Sequence, residues 1–195
     1  MGLKSWFTRV GGSPSARDEL LAELPADAVC AEIGVWKGRF SRMVMDRLQP
    51  RTLHLIDPWA FQPDFGERMY GGRVAQNQPD MDAIFEGVKT LFDGFENVRF
   101  HREFSSEAAK TFDDAYFDWV YIDGNHHYDY VLEDLRGYYP KVKPGGYIAG
   151  DDYTWAPRET PGDLQVKRAV TDFLAEMEGA VEMVNVWGDQ FLLRR

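Results

Sequence analysis

The chain has 195 residues, of which 44% are hydrophobic and 14% aromatic. That excludes a disordered polymer and suffices for one domain, residues 1–195, around a good core. A formal net charge of −10 argues against nucleic acid and membrane as main partners. The single cysteine, Cys30, excludes an intrachain disulfide framework. With no signal-like or transmembrane-length stretch, the expected location is the cytoplasm.

Residues 1–14 read as an N-terminal tail, in which Trp6 and Phe7 pack on the body or on a partner, or stay loose. Ser15 followed by Asp18 resembles a capping box, and Leu20, Leu21 and Leu24 give the helix behind it one apolar face. Pro25-Ala26-Asp27 ends that helix. Val29 to Ile33 is a short apolar run, the mark of a buried parallel strand. It enters a turn at Gly34 and a helix carrying Phe40, Met43, Val44 and Leu48. The pattern is Glu-x-Gly-x-x-x-Gly, from Glu32 through Gly34 to Gly38. Gly34 lets the main chain turn and a ligand approach, and the helix start adds N–H groups and a positive dipole end. A carboxylate at Glu32 repels a pyrophosphate but suits a cationic ligand. S-adenosylmethionine (SAM) has an amino group, a sulfonium and no phosphate. Glu32, Gly34 and Ser41 are therefore the cofactor-binding candidates of this stretch.

Thr52 to Ile56 is the second strand. It ends in Asp57, about two dozen residues after Gly34, the offset at which nucleotide-binding α/β folds place an acid on ribose hydroxyls. Trp59 either flanks the adenine or lines the core. Residues 60–80 are polar and glycine-rich, long for a connection, and read as an active-site lid or the arm of a homodimer. A helix follows over 81–92. The third strand runs from Val98 to Phe104, with Phe104 and Ser105 as adenine-side candidates and Ser105 capping the next helix. Phe117 to Asp123 is the fourth strand, and Tyr128 to Tyr139 the helix after it. Lys143-Pro144-Gly145-Gly146 reads as a turn. Tyr147 to Tyr153 is the fifth strand and ends in Asp151 and Asp152. A helix over 166–177 and a hairpin about Gly188-Asp189 complete the chain.

This order specifies an α/β three-layer sandwich: a Rossmann-like, mostly parallel sheet with an antiparallel C-terminal hairpin. Glu32, Asp57, Asp123, Asp151 and Asp152 all fall at strand carboxyl ends, where such sheets bind ligands. Asp123, Asp151 and Asp152 close together repel by several kcal/mol per pair at low dielectric. Either one carboxylate takes a proton, or a cation sits between them. Oxygen ligands favour Mg2+ or Ca2+, with Mn2+ also suited. Such an ion orients a substrate hydroxyl and lowers its pKa. His126 or His127 can act as general base beside Asp123; an iron centre built from both histidines and an Asp is a weaker geometry.

These residues resemble a known family. Glu32-Ile33-Gly34, Asp57, Ile122-Asp123-Gly124 and the Lys143–Gly146 turn look like class I SAM-dependent methyltransferases. The acids at 123, 151 and 152 look like those of the metal-dependent macrocin-type sugar O-methyltransferases, with catechol O-methyltransferase similar. The resemblance implies that Glu32 and Gly34 hold the methionine part of SAM and Asp57 its ribose. It implies that Asp123, Asp151 and Asp152 hold a divalent cation such as Mg2+. Asn125 departs from the macrocin pattern, which has an acid there as base; His126 is the replacement. The implied activity is O-methylation of a hydroxylated small molecule, of sugar or natural-product type. A SAM-binding scaffold without turnover, and an NAD-dependent oxidoreductase, are the competing readings.

Overall fold

Ser15 caps the first helix as its neighbours require. Its hydroxyl accepts from the Asp18 N–H, and the Asp18 carboxylate accepts in turn from the Ser15 N–H. That reciprocal pair satisfies two N–H groups the helix start would leave orphaned. It fixes α1, Ala16–Glu23, whose Leu20 and Leu21, with Leu24 behind them, are buried. The structure, a computed structural model, describes residues 14–63 and 74–195. Trp6, Phe7 and the middle of the expected 60–80 lid, with Gly66, Gly71 and Gly72, lie outside the described residues.

Strands and helices then alternate: β1 (Val29–Ile33), α2 (Arg39–Leu48), β2 (Thr52–Ile56), α3 (Gln78–Leu91), β3 (Val98–His101), α4 (Ser105–Thr111), β4 (Phe117–Ile122), α5 (Tyr128–Tyr138), β5 (Val142–Gly150), α6 (Gln165–Glu176), β6 (Glu182–Trp187) and β7 (Gln190–Arg194). They form one seven-stranded sheet in the order β3-β2-β1-β4-β5-β7-β6. β1 to β5 pair in parallel, and β7 runs antiparallel between β5 and β6. The expected Rossmann-like sandwich is what forms.

The inner strands are apolar on both faces because helices cover both. Ala31, Ile33, Val120 and Ile122 face the layer of α4, α5 and α6. Cys30, Leu53, Leu55, Trp119 and Tyr121 face α1, α2 and α3. Among the described residues no helix is long and apolar enough to cross a membrane.

Three boundaries differ from expectation. α3 starts at Gln78, because the Asn77 side chain accepts from the Asp80 N–H and Pro79, read as loop, fits the first turn. β3 stops at His101, so Phe104 is the N-cap residue of α4 and Ser105 is already helical. Lys143–Gly146 lies within the span of β5 as an irregularity, not a free turn. Pairing with β4 shifts register there, and Gly145, at φ +79°, donates its N–H to the Arg195 carbonyl.

Candidate functional site

The site is assembled by backbone bonds between successive strand ends. Gly34 N–H donates to the Ile56 carbonyl (2.9 Å), Asp123 N–H to Ile33 (2.7 Å) and Asp151 N–H to Ile122 (3.1 Å). The turns after β2, β1, β4 and β5 therefore lie side by side. Those after β2, β1 and β4, with Trp155 from the connection beyond β5, wall a cavity of about 590 Å³ that Glu32, Gly34, Asp57, Phe104, Ser105, Asp123 and His126 all border, whereas Asp151 and Asp152 do not line it. Sequence-predicted residues from separate motifs thus meet at one rim. Three non-glycine residues near these strand ends hold left-handed backbone, Trp36 (φ +53°), Trp59 (φ +40°) and Asp152 (φ +55°), a form of local strain that clusters at functional sites.

Gly34 is required for a reason beyond a ligand's approach. At φ +86°, a Cβ there would lie 2.1 Å from the Asp123 carbonyl oxygen and 2.7 Å from Gly124 Cα. Its missing side chain lets the β1 and β4 turns touch. Glu32 is buried and accepts a short hydrogen bond from the Ser41 hydroxyl. Burial pushes its carboxyl well above the ordinary range, with the Ser41 bond pulling the other way. No ion pair to Glu32 forms among the described residues. Such a carboxylate suits an incoming cation.

Asp57 is buried as well, and its Oδ2 accepts from the N–H groups of Val35 and Trp36 (2.9 Å each) while Oδ1 accepts from Trp59 (2.8 Å). Burial raises its carboxyl to about 6 against the pull of those three bonds. Much of its work is to lock the Gly34 turn. Two cofactor candidates stand apart from the cavity wall. Ser41 is fully buried and acts through Glu32. The Trp59 ring is fully buried in the core against Phe85, its indole N–H donating to the Trp36 carbonyl. Of the two roles left open for Trp59, the core one is realised.

At the other end the acids separate into two sets. His126 Nε2 lies 3.2 Å from Asp152 Oδ2 and 3.7 Å from Asp123 Oδ1. Burial opposes charge on this imidazole, but Asp123 and Asp152 prevail and hold its pKa above the usual value. Burial in turn raises the Asp123 and Asp152 carboxyls, and His126 pulls both down. Asp123, His126 and Asp152 each offer one ligand atom, all within 4.8 Å of one another. Asp151 turns away from that set. Its Oδ2 takes a short bond from Arg17, which also reaches Asp123 Oδ2 at 3.0 Å; its Oδ1 accepts from Gln190 and from the Asp152 N–H. Of the expected trio, Asp123 and Asp152 lie with His126, while Asp151 is held by the Arg17 guanidinium.

Asn125, where the macrocin pattern has an acid, accepts from the His127 N–H at 3.0 Å and shapes the turn. His127 faces the edge of Trp155 (5.1 Å between ring centroids). Four residues at the site were not singled out in the sequence. Trp155 and Asp134 border the cavity, and Arg17 and Gln190 hold Asp151. Arg17 was legible only as a charge on a predicted helix; the other three carried no signal.

A family model described as "Methyltransferase domain" matches residues 31–153, which include the turns after β1, β2, β4 and β5.

The chain belongs to the methyltransferase domain family.

A demethyldecarbamoylnovobiocin O-methyltransferase from Streptomyces niveus is 27% identical to it over 176 residues, 84% of this chain. The chain spans 63% of that relative's length. Among solved structures, a SAM-dependent methyltransferase from Aquifex aeolicus superposes with a TM-score of 0.60 at 17% identity, covering 93% of this chain and 89% of that one. A putative methyltransferase from Streptococcus mutans, in complex with S-adenosylhomocysteine (SAH), gives 0.59 at 11% identity over 91% and 94%. These likenesses establish the methyltransferase fold, with Gly34 of this family member where the turns after β1 and β4 touch.

Proposed function

We propose that this chain transfers a methyl group from SAM to a hydroxyl oxygen of a small molecule. One observation carries the reading: Glu32 and Asp57 share a cavity wall with Asp123 and His126. Cofactor recognition and acid–base chemistry are therefore within one ligand's reach.

SAM, when bound, supplies an electrophilic methyl on a sulfonium. Glu32, held by Ser41, accepts from the cationic amino group, and Gly34 and Asp57 shape the methionine and ribose sides. Phe104 and Ser105 border the base. His126 accepts the acceptor's hydroxyl proton in its neutral form, and the nearby Asp152 and Asp123 carboxylates stabilise the imidazolium that results. The remaining rate gain is positioning. The Streptomyces niveus relative supports oxygen as the methylated atom and a natural-product acceptor. The net charge of −10 supports a small molecule over nucleic acid.

The Mg2+ that the resemblance implies does not fit the expected ligands. Arg17 lies between Asp123 and Asp151, and Gln190 and the Asp152 N–H take the remaining Asp151 oxygen. In the alternative set the imidazole lies between the two carboxylates, and Mg2+ favours an octahedron of oxygens. A SAM-binding scaffold without turnover, motivated by Asn125 in place of an acid, predicts SAM binding with no methyl transfer to any screened compound.

The test is calorimetry with SAM, followed by a labelled-SAM screen of phenolic and sugar hydroxyl compounds. Binding near micromolar SAM is expected, and its absence removes the reading. With an accepted compound, His126→Asn lowers kcat by ~10²–10⁴-fold and leaves SAM affinity nearly unchanged. Its kcat near wild type would remove His126 as base.

A further inference from the structure

Arg17 lies on the first turn of α1, outside the stretch matched by the family model. Its guanidinium contacts Asp123 and Asp151, at the ends of two neighbouring parallel strands. The three side chains are 33%, 19% and 12% exposed, too buried for a loosely solvated pair. A single terminal nitrogen, Nη2, donates to both carboxylates, so one positive charge serves two acids. The arginine is itself held. Its Cζ lies 5.1 Å from the centroid of Phe40, and Phe40 stacks on Tyr121 at 4.0 Å. The Tyr121 hydroxyl donates to Gln190 Oε1 (2.8 Å), and Gln190 donates onward to Asp151. Docking of α1 through Leu20, Leu21 and Leu24 fixes where the charge arrives.

We propose that Arg17 is the resident cation of this acidic rim. Delivered by α1, it holds the Asp123 and Asp151 carboxylates where the resemblance implies a divalent ion, and it keeps such an ion out. Arg17 is thus a positioning residue. It sets the Asp123 oxygens beside His126, and a +2 ion would have to displace it or lie against it. Asp123, Asp151, Glu32 and Tyr121 are the titratable groups whose charges couple to it, and Asp152 and His126 stand beside Asp123, so removing its charge leaves a pocket rich in oxygen ligands. The proposal rests on the methyltransferase reading for what the rim does, but not for how the rim is neutralised.

The test is Mn2+ binding, followed by the paramagnetic resonance of free Mn2+, with the chelator-treated 195-residue chain alone and with SAH. Arg17→Gln is expected to bind Mn2+ at least tenfold more tightly than the wild type. Arg17→Lys, which keeps the charge, is expected to stay within threefold of the wild type. Equal Mn2+ affinity in the wild type and Arg17→Gln overturns the proposal, as does Arg17→Lys behaving like Arg17→Gln. Should Arg17→Gln fail to fold, the wild type decides alone. Stoichiometric Mn2+ uptake at the protein concentration overturns the proposal, and an unchanged free-ion signal supports it. SAH affinity, read by calorimetry on the same samples, tests the methyltransferase reading separately. Its absence removes that reading and leaves the Mn2+ comparison in the ligand-free protein intact.

Discussion

Gly34→Ala isolates the contact that joins the two halves of the site. A Cβ there would lie 2.1 Å from the Asp123 carbonyl oxygen, 2.5 Å from its carbon and 2.7 Å from Gly124 Cα. Comfortable separations are about 3.5 Å, so one turn must move by roughly 1 Å. The Asp123 turn cannot yield freely, because its N–H is bonded to Ile33 at 2.7 Å. Two costs add: ~1–2 kcal/mol for a side chain at φ +86°, and ~1–3 kcal/mol for overpacking. The expected loss is about 2–5 kcal/mol, a large part of a domain's ~5–15 kcal/mol. Gly145→Ala is the matched control. Its φ is +79°, yet nothing lies within 4 Å of the added Cβ, so only the ~1–2 kcal/mol backbone cost applies. Urea unfolding followed by tryptophan fluorescence measures both. A displaced Asp123 should also cost Gly34→Ala about 10²-fold in turnover, while Gly145→Ala keeps wild-type activity. Equal destabilisation of the two variants would refute the argument.

Two further outcomes follow from buried acids. Ser41→Ala removes the hydroxyl that donates to Glu32 and should cost ~1–3 kcal/mol and raise the SAM Kd about tenfold; calorimetry showing an unchanged Kd would separate Ser41 from cofactor binding. Asp134 is 5% exposed, and burial, against a bond from Ser105, lifts its carboxyl to about 7. A raised carboxyl pKa means that folding favours the protonated form. Its contribution is therefore fully present below pH 4 and is lost as pH climbs towards 7. Asp134→Asn should thus exceed the wild type in stability at pH 8, by an amount of the order of 4 kcal/mol if the whole shift is recovered. The two should converge near pH 4, and parallel stability curves from pH 4 to 8 would count against that reading.

The amino-acid sequence by itself determined the elements and their order. Strand, turn and helix are local patterns. The apolar run Val29–Ile33, the glycine at 34 and the Ser15/Asp18 cap act within a few residues of chain. The alternation then leaves little freedom of topology, so the acids had to fall along one edge of the sheet. The groups that complete those acids were decided only by the tertiary structure. Arg17 lies 106 and 134 positions from its two partners, and within its own helix it is one more charged residue beside a cap. Gln190 meets Asp151 only because β7 returns antiparallel beside β5. Trp59 is an aromatic at a strand end on either reading, and only the packing of α3 buries it. Spacing along a chain reports which groups stand at the sheet's edge. Which cation balances them depends on helices that arrive from distant segments, and that is fixed by packing alone.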